Sequence, residues 1–515
     1  MDSQQFREAA ASSIEDIVNY FETLGSRNVV STVEPGYLHK LIPSEAPEEG
    51  EPWSAIRADI EDKIMPGITH WTHPGFLAYF PCTTSYPSVL GELYSSAISG
   101  ACFNWICSPA ATELETIVLD WLGRALGLPA CYLSTGPTRG GGVIQGSASE
   151  SVLVAMVAAR DKYLRETVPE SGLAEEEREE LVMRKRSRMV ALATTLTHSS
   201  VRKAAMILGI RFRAIPVGKA DGYRLRKETL AAALADCRAQ GLEPFFLAAT
   251  MGTTDVCSVD DFEGIGEALA EHVAPGQPGE VWVHVDAAYA GVALVCPEVQ
   301  RAVRIERVER FHSFTTNMHK WLLVNFDSSC FFVRNRDWLV RALSVNQAVY
   351  SNKASDNGLV TDYREWQIPL GRRFRSLKIW FVMRTYGIKG LQQHIRRTIQ
   401  LGEEFAAAMR ARPDLFEIVT GPSFALTVFR VAAAAGSGGE PRPEEEQNAL
   451  TKALYERVNA SGKIWLTGTN LDGKFAIRLM TAVRTTEREH VEMAVRLLTD
   501  IAEEVISGKP VQHLN

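Results

Sequence analysis

A lysine and an aspartate of this chain have the surroundings that covalent chemistry on an aldehyde requires. Asp286 ends the alternating apolar run at residues 281–286, and Lys320 follows later in the sequence between His319 and Trp321. A lysine amine can form a Schiff base with an aldehyde, and a carboxylate can keep a basic ring nitrogen protonated. Together these two residues make pyridoxal phosphate (PLP) the first hypothesis for a cofactor.

A glycine- and serine-rich turn could bind the phosphate of such a cofactor. Residues 140–150 read GGGVIQGSASE, and Ser147 and Ser149 directly precede a helical run. Backbone N–H groups at a helix N-terminus and nearby hydroxyl groups are typical ligands of phosphate. The turn matches neither the Walker A loop nor the GxGxxG loop, so an ordinary helix cap is the more common explanation when the turn is taken alone.

His198 could take part in the same chemistry, because it follows the apolar run at residues 190–196. An imidazole there can stack on a pyridine ring and transfer protons near neutral pH. A histidine after a strand is more typically a hydrogen-bonded core residue, and Asp286 could equally cap a helix or form a buried ion pair. Lys320 taken alone would be a surface lysine. Each feature is weak by itself, and only their combination favours a PLP site.

The chain is long enough for several packed units, and its pattern divides into three segments. Residues 1–84 begin with an apolar stripe at helical spacing, so we expect a helical segment that covers its own body or a partner subunit. Residues 85–387 alternate β-rich runs with amphipathic stretches, which predicts an α/β domain with a mainly parallel sheet. Residues 388–515 predict a smaller α+β domain, with an exposed loop at residues 432–448.

The composition excludes several classes of function. A net charge of -7 argues against nucleic acid or an anionic membrane as the main partner. No apolar run is long enough to span a bilayer, and the polar N-terminus lacks the pattern of a secretory signal. The 8 cysteines show no CxxC spacing, which favours reduced thiols over disulfides or a zinc site. We therefore expect a cytoplasmic protein without a bound metal.

Several long strings of residues, taken together, resemble the group II PLP-dependent decarboxylases, and among them the aromatic-L-amino-acid decarboxylases. The resemblance covers residues 34–506, nearly the whole chain, and implies a fold of the aspartate aminotransferase type (fold type I). It also implies a homodimer in which the N-terminal segment packs on the partner. The strings are GGGVIQGSASES (140–151), HVDAAYAG (284–291), HKWLLVNFD (319–327) and TDYREWQIPLGRRFRSLK (361–378).

The resemblance also implies a role for individual residues. Lys320 resembles the lysine that joins the cofactor covalently, and Asp286 resembles the partner of the pyridinium nitrogen. Ala288 then lies beneath the ring, and His198 stacks on its opposite face. The remaining positions that match cofactor contacts are Ser147, Ala148, Ser149, Thr250, Asn317 and His319.

The positions that match the family's substrate pocket are mainly apolar and aromatic, as expected for an aromatic amino acid. Ala101 and Gly371 are small and leave room for a bicyclic ring, so tryptophan is the expected substrate and tryptamine the product. Tyrosine, phenylalanine and their hydroxylated forms are further candidates. The alternative is that Gly371 is needed only for its backbone. Besides His198, the pocket positions are Trp71, Tyr79, Phe80, Pro81, Cys82, Ala101, Phe103 and Gly371.

The sequence departs from the family pattern in the loop at residues 345–356. The family usually has a tyrosine there that protonates the substrate carbon after CO2 is lost. A gapless alignment places Val349 at that position, and Tyr350, one residue away, is the candidate proton donor. Relatives without the tyrosine release an aldehyde, ammonia and hydrogen peroxide, so an aromatic acetaldehyde synthase is the main alternative. A non-catalytic scaffold with this fold is a further alternative, disfavoured because every cofactor-contact position is filled.

Overall fold

The computed structural model describes residues 1–169, 171–345, 360–433 and 441–508. The chain divides into two compact units, one formed by Met1–Pro81 with Leu401–Asn515 and the other by Cys82–Gln400. Each unit has its own sheet and its own hydrophobic core. The domain boundaries predicted at residues 84 and 387 stay predictions.

Helices account for much of the described chain. Among them, none has the length and apolarity needed to cross a membrane. In chain order they are α1 (Ser3–Thr23), α2 (Tyr37–Leu41), α3 (Trp53–Asp59), α4 (Tyr86–Ala97), α5 (Pro109–Ala125), α6 (Ala148–Thr167), α7 (Glu175–Arg188), α8 (Ser200–Ile207), α9 (Lys227–Ala239), α10 (Phe262–His272), α11 (Pro297–Val303), α12 (Met318–Trp321), α13 (Asp337–Leu343), α14 (Ser376–Arg410, kinked at Gly387), α15 (Glu444–Ala460) and α16 (Arg488–Ser507).

A seven-stranded sheet forms the centre of the larger unit, in the order β1-β7-β6-β5-β4-β2-β3. Strands β1 to β6 run parallel to one another, and β7 runs antiparallel between β1 and β6. The strands are β1 (Gly141–Gln145), β2 (Met189–Thr194), β3 (Arg211–Ile215), β4 (Glu243–Thr250), β5 (Trp282–Asp286), β6 (Ser313–Asn317) and β7 (Ser329–Val333).

The central strands are buried along their whole length, which explains why they read as continuous apolar runs. All residues of β2 and β5 are buried, as expected for a parallel sheet covered by helices on both faces. Val152 and Met156 of α6 belong to the same core cluster as Phe246 of β4 and Trp282 of β5. The predicted α/β fold with a mainly parallel sheet is confirmed.

The smaller unit contains a four-stranded antiparallel sheet in the order β10-β11-β9-β8. Helix α16 packs its apolar face, including Leu498 and Ile501, into the core of this unit. This mixture of helices and antiparallel strands matches the α+β pattern expected near the end of the chain. The strands are β8 (Phe416–Ser423), β9 (Leu426–Val431), β10 (Thr467–Leu471) and β11 (Lys474–Met480).

Candidate active site

The topology of the larger unit brings the chemically interesting residues to one edge of the sheet. Because β1, β2, β4, β5 and β6 run parallel, their carboxyl ends lie on the same side. Asp286 ends β5 and lies in register with Thr250, the last residue of β4. Asn317 ends β6, while Ser147 and His198 follow β1 and β2. Residues far apart in sequence therefore share one edge.

Lys320 lies in the short helix α12, directly after β6. Burial lowers the pKa of the Lys320 amine, and the negative charge of Asp286 partly opposes this effect. A larger fraction of the amine is therefore unprotonated at neutral pH than for a solvated lysine. The next residue, Trp321, is buried and donates its Nε1–H to the Thr398 hydroxyl at 3.0 Å, which anchors the helix. Lys320 therefore lies on an anchored helix and carries an amine with increased nucleophilic character.

Asp286 is a buried carboxylate whose position is fixed by the backbone that follows it. Its Oδ1 accepts a hydrogen bond from the Ala288 N–H at 3.1 Å, and the Ala288 carbonyl accepts one from the Asn317 N–H at 3.0 Å. The Asp286 charge raises the pKa of both Lys320 and His198, against the effect of burial. These three side chains are therefore within electrostatic reach of one another.

His198 has a defined tautomer in its neutral form. The Ser200 N–H donates to its Nδ1 at 3.2 Å, and the Ser200 hydroxyl lies 2.9 Å from the same atom. Because an N–H can only donate, Nδ1 must accept, and the ring proton is on Nε2. Desolvation lowers the pKa of His198, so the neutral ring predominates at neutral pH. The side chain thus presents an N–H donor.

The glycine- and serine-rich turn is a helix cap and a possible anion site at once. The Ser147 hydroxyl accepts the Glu150 N–H at 3.2 Å, and the Gly146 N–H donates to the Glu150 carboxylate at 3.0 Å. Such capping was the common alternative for this turn. This capping leaves other N–H groups of the helix N-terminus available to an anion, because an α-helix begins with four N–H groups without intrahelical partners. Ala148 and Ser149 open the helix that could bind a phosphate there.

Asn317 and His319 provide an independent test of whether the site fits a phosphorylated cofactor. The Asn317 side-chain amide is buried, and its Oδ1 has no hydrogen-bond partner within the part of the chain that the structure describes. The Ser328 N–H donates to Nδ1 of His319 at 2.8 Å, so the neutral ring of His319 carries its proton on Nε2. Burial lowers the pKa of His319 to about 3. The Nε2–H of His319 and the side-chain N–H groups of Asn317 are neutral donors suited to phosphate oxygens, whereas Oδ1 of Asn317 can only accept and requires a donor.

Thr250 is fixed by a residue that the sequence patterns did not reveal. Its N–H donates to the buried carboxylate of Asp260 at 2.7 Å, and its hydroxyl lies 3.4 Å from that of Thr197. Asp260 also accepts the Leu225 N–H at 2.7 Å. A buried carboxylate that binds two backbone N–H groups carries no periodic signal, so the sequence offered no means of finding it.

The predicted substrate residues fall into separate groups. Ala101, Phe103 and Gly371 lie together, because the Arg372 N–H donates to the Ala101 carbonyl at 2.7 Å and the Arg364 N–H to the Phe103 carbonyl at 3.0 Å. A Cβ added at Gly371 would meet nothing within 4 Å, and its φ is not left-handed. Neither a left-handed φ nor a close contact within the described residues requires a glycine here, and the role of Gly371 in the pocket stays a prediction.

Cys82 lies beside the Lys320 segment, since the Thr83 N–H donates to the His319 carbonyl at 2.8 Å. Burial raises the pKa of the Cys82 thiol, and the charge of Lys320 opposes this. The remaining pocket candidates form an aromatic group within the smaller unit. There the rings of Trp71 and Tyr79 stack at 5.5 Å, and the Arg478 guanidinium lies 5.5 Å from the Phe80 ring. Pro81 directly follows this group.

The candidate proton donor Tyr350 lies outside the described residues, as does Val349. Its role therefore stays a prediction. Within the described ranges, no group of three or more His, Cys, Asp or Glu side chains is arranged to hold a metal ion.

Comparison with known proteins shows extensive similarity. The chain matches the family described as the pyridoxal-dependent decarboxylase conserved domain over residues 35–432. It is 44% identical over 506 residues to aromatic-L-amino-acid decarboxylase of Cavia porcellus, covering 98% of this chain and 99% of that relative. It is 42% identical over 507 residues to phenylacetaldehyde synthase of Arabidopsis thaliana, covering 98% of this chain and 96% of that relative. A solved structure, Oryza sativa TDC with PLP and tryptamine, matches with a TM-score of 0.89 and 35% identity, covering 98% and 99% of the two chains.

Proposed function

The chain belongs to the pyridoxal-dependent decarboxylase family, as its sequence motifs indicated, and on this premise we propose that it decarboxylates aromatic L-amino acids. Its cofactor is PLP, and it is a carbon–carbon lyase. We propose tryptophan as the preferred substrate and tryptamine as the product, with tyrosine, phenylalanine and hydroxylated forms accepted as well. The observation that carries the proposed decarboxylation is the placement of Lys320 and Asp286 at one edge of the sheet, where burial lowers the pKa of Lys320 and favours the unprotonated amine.

Each residue of the site has a separate task in this reaction. When bound, PLP would supply an aldehyde that joins covalently to amines and a protonated ring that takes up the electron pair left on the substrate carbon when CO2 departs. Asp286 would keep the proton on the ring nitrogen, and Ala288 would lie on one side of the ring. His198 would lie on the other side, with its Nε2–H available as a donor. Lys320 holds the cofactor between turnovers and accepts or returns protons as the substrate amine arrives and leaves.

In this proposal, neutral side chains and the N-terminus of a helix bind the phosphate of the cofactor. The first N–H groups of α6, at Ala148 and Ser149, provide donors and a partial positive charge. Asn317 and His319 add side-chain donors from the adjacent strand end. This division leaves Lys320 as the amine available for the aldehyde.

A second copy of the chain is part of this proposal. Large apolar side chains are exposed around Ala101 and Gly371, which is typical of a surface that packs against a partner. They are Ile98, Ile106, Ile368 and Leu370. We propose a homodimer in the cytoplasm, where the 8 cysteines would stay reduced thiols.

The open space at Gly371 makes the preference for tryptophan testable. A Cβ added at Gly371 meets nothing within 4 Å, so we expect Gly371→Ser to remain stable. We expect the ratio of kcat/KM for tryptophan over tyrosine to fall at least about 10-fold, because the added group takes the room of the larger ring. Gly266→Ser on α10 is the matched control, since a Cβ there also meets nothing within 4 Å. An unchanged ratio in Gly371→Ser would remove Gly371 from the pocket.

An aldehyde synthase is the second candidate, because a relative of that kind is 42% identical over 507 residues. The resemblance favours the decarboxylase through His198, at a position where some aldehyde synthases have asparagine. Measuring amine, CO2 and hydrogen peroxide with tryptophan distinguishes the two reactions. We expect one tryptamine for each CO2 and little peroxide, and we expect Tyr350→Phe to shift products toward peroxide. One peroxide per CO2 in the unmodified enzyme would contradict the proposal.

A further inference from the structure

We infer that Lys378 is a positioning residue whose buried ammonium group fixes the orientation of His319 toward the phosphate of the cofactor. The residue lies at the start of α14 and has no task in the proposed reaction. The inference rests on the proposed role of His319 in binding phosphate, and it goes beyond that role by identifying what holds His319 in place.

The ammonium group of Lys378 is enclosed by acceptors from two other segments. Only 1% of its side chain is exposed, and its Nζ lies 3.1 Å from the Glu92 carboxylate of α4. It donates to the backbone carbonyls of Asn325 at 3.3 Å and Asp327 at 3.1 Å. A buried ammonium without acceptors is costly, so these contacts fix the loop at residues 325–328 relative to α14.

One peptide group connects this ammonium to His319. The carbonyl of Asp327 and the N–H of Ser328 belong to the same planar unit, and the two groups of a trans peptide point in opposite directions. Lys378 binds the carbonyl at 3.1 Å, while the N–H donates to Nδ1 of His319 at 2.8 Å. A cation at the carbonyl also polarises the peptide and strengthens its N–H as a donor. Lys378 therefore acts on His319 through a single rigid group.

A second set of contacts holds the same loop against the phosphate turn. The Arg375 guanidinium donates its Nε–H to the Asp327 carboxylate at 2.9 Å, and its NH2 group lies 2.8 Å from the same carboxylate. A Cβ added at Gly146 would lie 3.4 Å from this carboxylate. The loop, the turn before α6 and His319 are thus connected within a few ångströms.

These contacts fix the position of the hydrogen-bond donor on the His319 ring. With Nδ1 occupied by the Ser328 N–H, the neutral ring presents Nε2–H on its opposite side. The nearby positive charges of Lys320 and Lys378 add to burial in lowering the pKa of His319. The assigned phosphate ligands are all neutral, so the N-terminus of α6 supplies the positive potential for the phosphate.

Titration of the cofactor-free protein with PLP tests this inference without reference to turnover. Lys378→Met keeps a similar length without charge, and we expect its dissociation constant for PLP to rise about 10-fold, as for the loss of one hydrogen bond to a charged group. The cofactor-free variant should unfold at a lower temperature, because Glu92 and two backbone carbonyls lose a buried partner, so the titration is run well below that temperature. Lys162→Met is the matched control, because Lys162 of α6 is 10% exposed and paired with Glu166. It should bind PLP normally.

A double-variant cycle distinguishes positioning from a general effect. His319→Asn keeps an acceptor for the Ser328 N–H but removes the outward donor, so we expect about 10-fold weaker PLP binding. Adding Lys378→Met to His319→Asn should cause no further loss. A further 10-fold loss, or normal binding by Lys378→Met alone, would overturn the inference and leave the role of His319 intact. Normal binding by His319→Asn would overturn both. If Lys378→Met does not fold, the uncharged Lys378→Gln should show the same absence of additivity.

Discussion

Lys320→Ala is expected to lower kcat for tryptophan at least about 10⁴-fold, the upper range for loss of a positioned acid–base group. The variant loses the amine that joins the cofactor covalently and also the group that exchanges protons with the substrate. Its visible absorption band from covalently bound PLP should disappear as well. Rates of CO2 release and absorption spectra of the purified variant provide the two measurements.

Lys203→Ala is the matched control for this experiment. Lys203 lies in α8, is exposed, and its charge reaches His198, so its removal changes the local potential without removing the proposed nucleophile. We expect nearly normal turnover and an unchanged absorption band. If Lys320→Ala retained more than about one hundredth of the activity, Lys320 could not be the covalent residue.

Asp286→Ala is expected to lower kcat about 10- to 1000-fold while PLP still binds. A neighbouring carboxylate raises the pKa of a cationic group by about 1 to 3. Without Asp286 the pKa of the cofactor ring nitrogen falls by this amount, and the protonated fraction of the ring falls about 10- to 1000-fold. The pKa of Lys320 should also fall further, because Asp286 is the charge that opposes the effect of burial. Turnover at saturating tryptophan and a PLP titration would separate the catalytic effect from the binding effect.

Asp261→Asn is a suitable control for Asp286→Ala. Asp261 caps α10 by accepting the Gly264 N–H at 3.2 Å, and asparagine is also a good helix cap. Neither turnover nor PLP binding should change in this variant. Near-normal turnover in Asp286→Ala would show that another group protonates the ring, and the proposed reaction would have to be revised.

Local patterns in the sequence were sufficient to predict the sheet and much of its functional edge. Buried parallel strands are continuous apolar runs, so β2, β4 and β5 were visible as such, together with Thr250 and Asp286 at their ends. The order of the strands was not visible, because pairing between distant segments leaves no periodic trace. The insertion of the antiparallel β7 between β1 and β6 is an example.

The same limit applies to the residues that support the site. Lys378 ends the string at residues 361–378 that carries the family resemblance, and Asp260 lies in a segment without a motif, so neither residue is marked by the sequence as a candidate. Their importance comes from partners elsewhere in the chain: the Thr250 N–H lies 10 residues before Asp260, and the Asp327 carbonyl lies 51 residues before Lys378. Such contacts depend on three-dimensional approach and not on spacing along the chain.

The sequence by itself determined the chemical groups available to this protein: a lysine after a strand, an aspartate at a strand end, and a serine-rich turn before a helix. Residue type and local periodicity are properties of short segments, so they can be read directly. Only the tertiary structure decided the state of those groups. Burial lowers the pKa of Lys320, and backbone N–H groups from Ser200 and Ser328 set the tautomers of His198 and His319. Protonation and tautomer depend on desolvation and on distant partners, which exist only once the chain has folded.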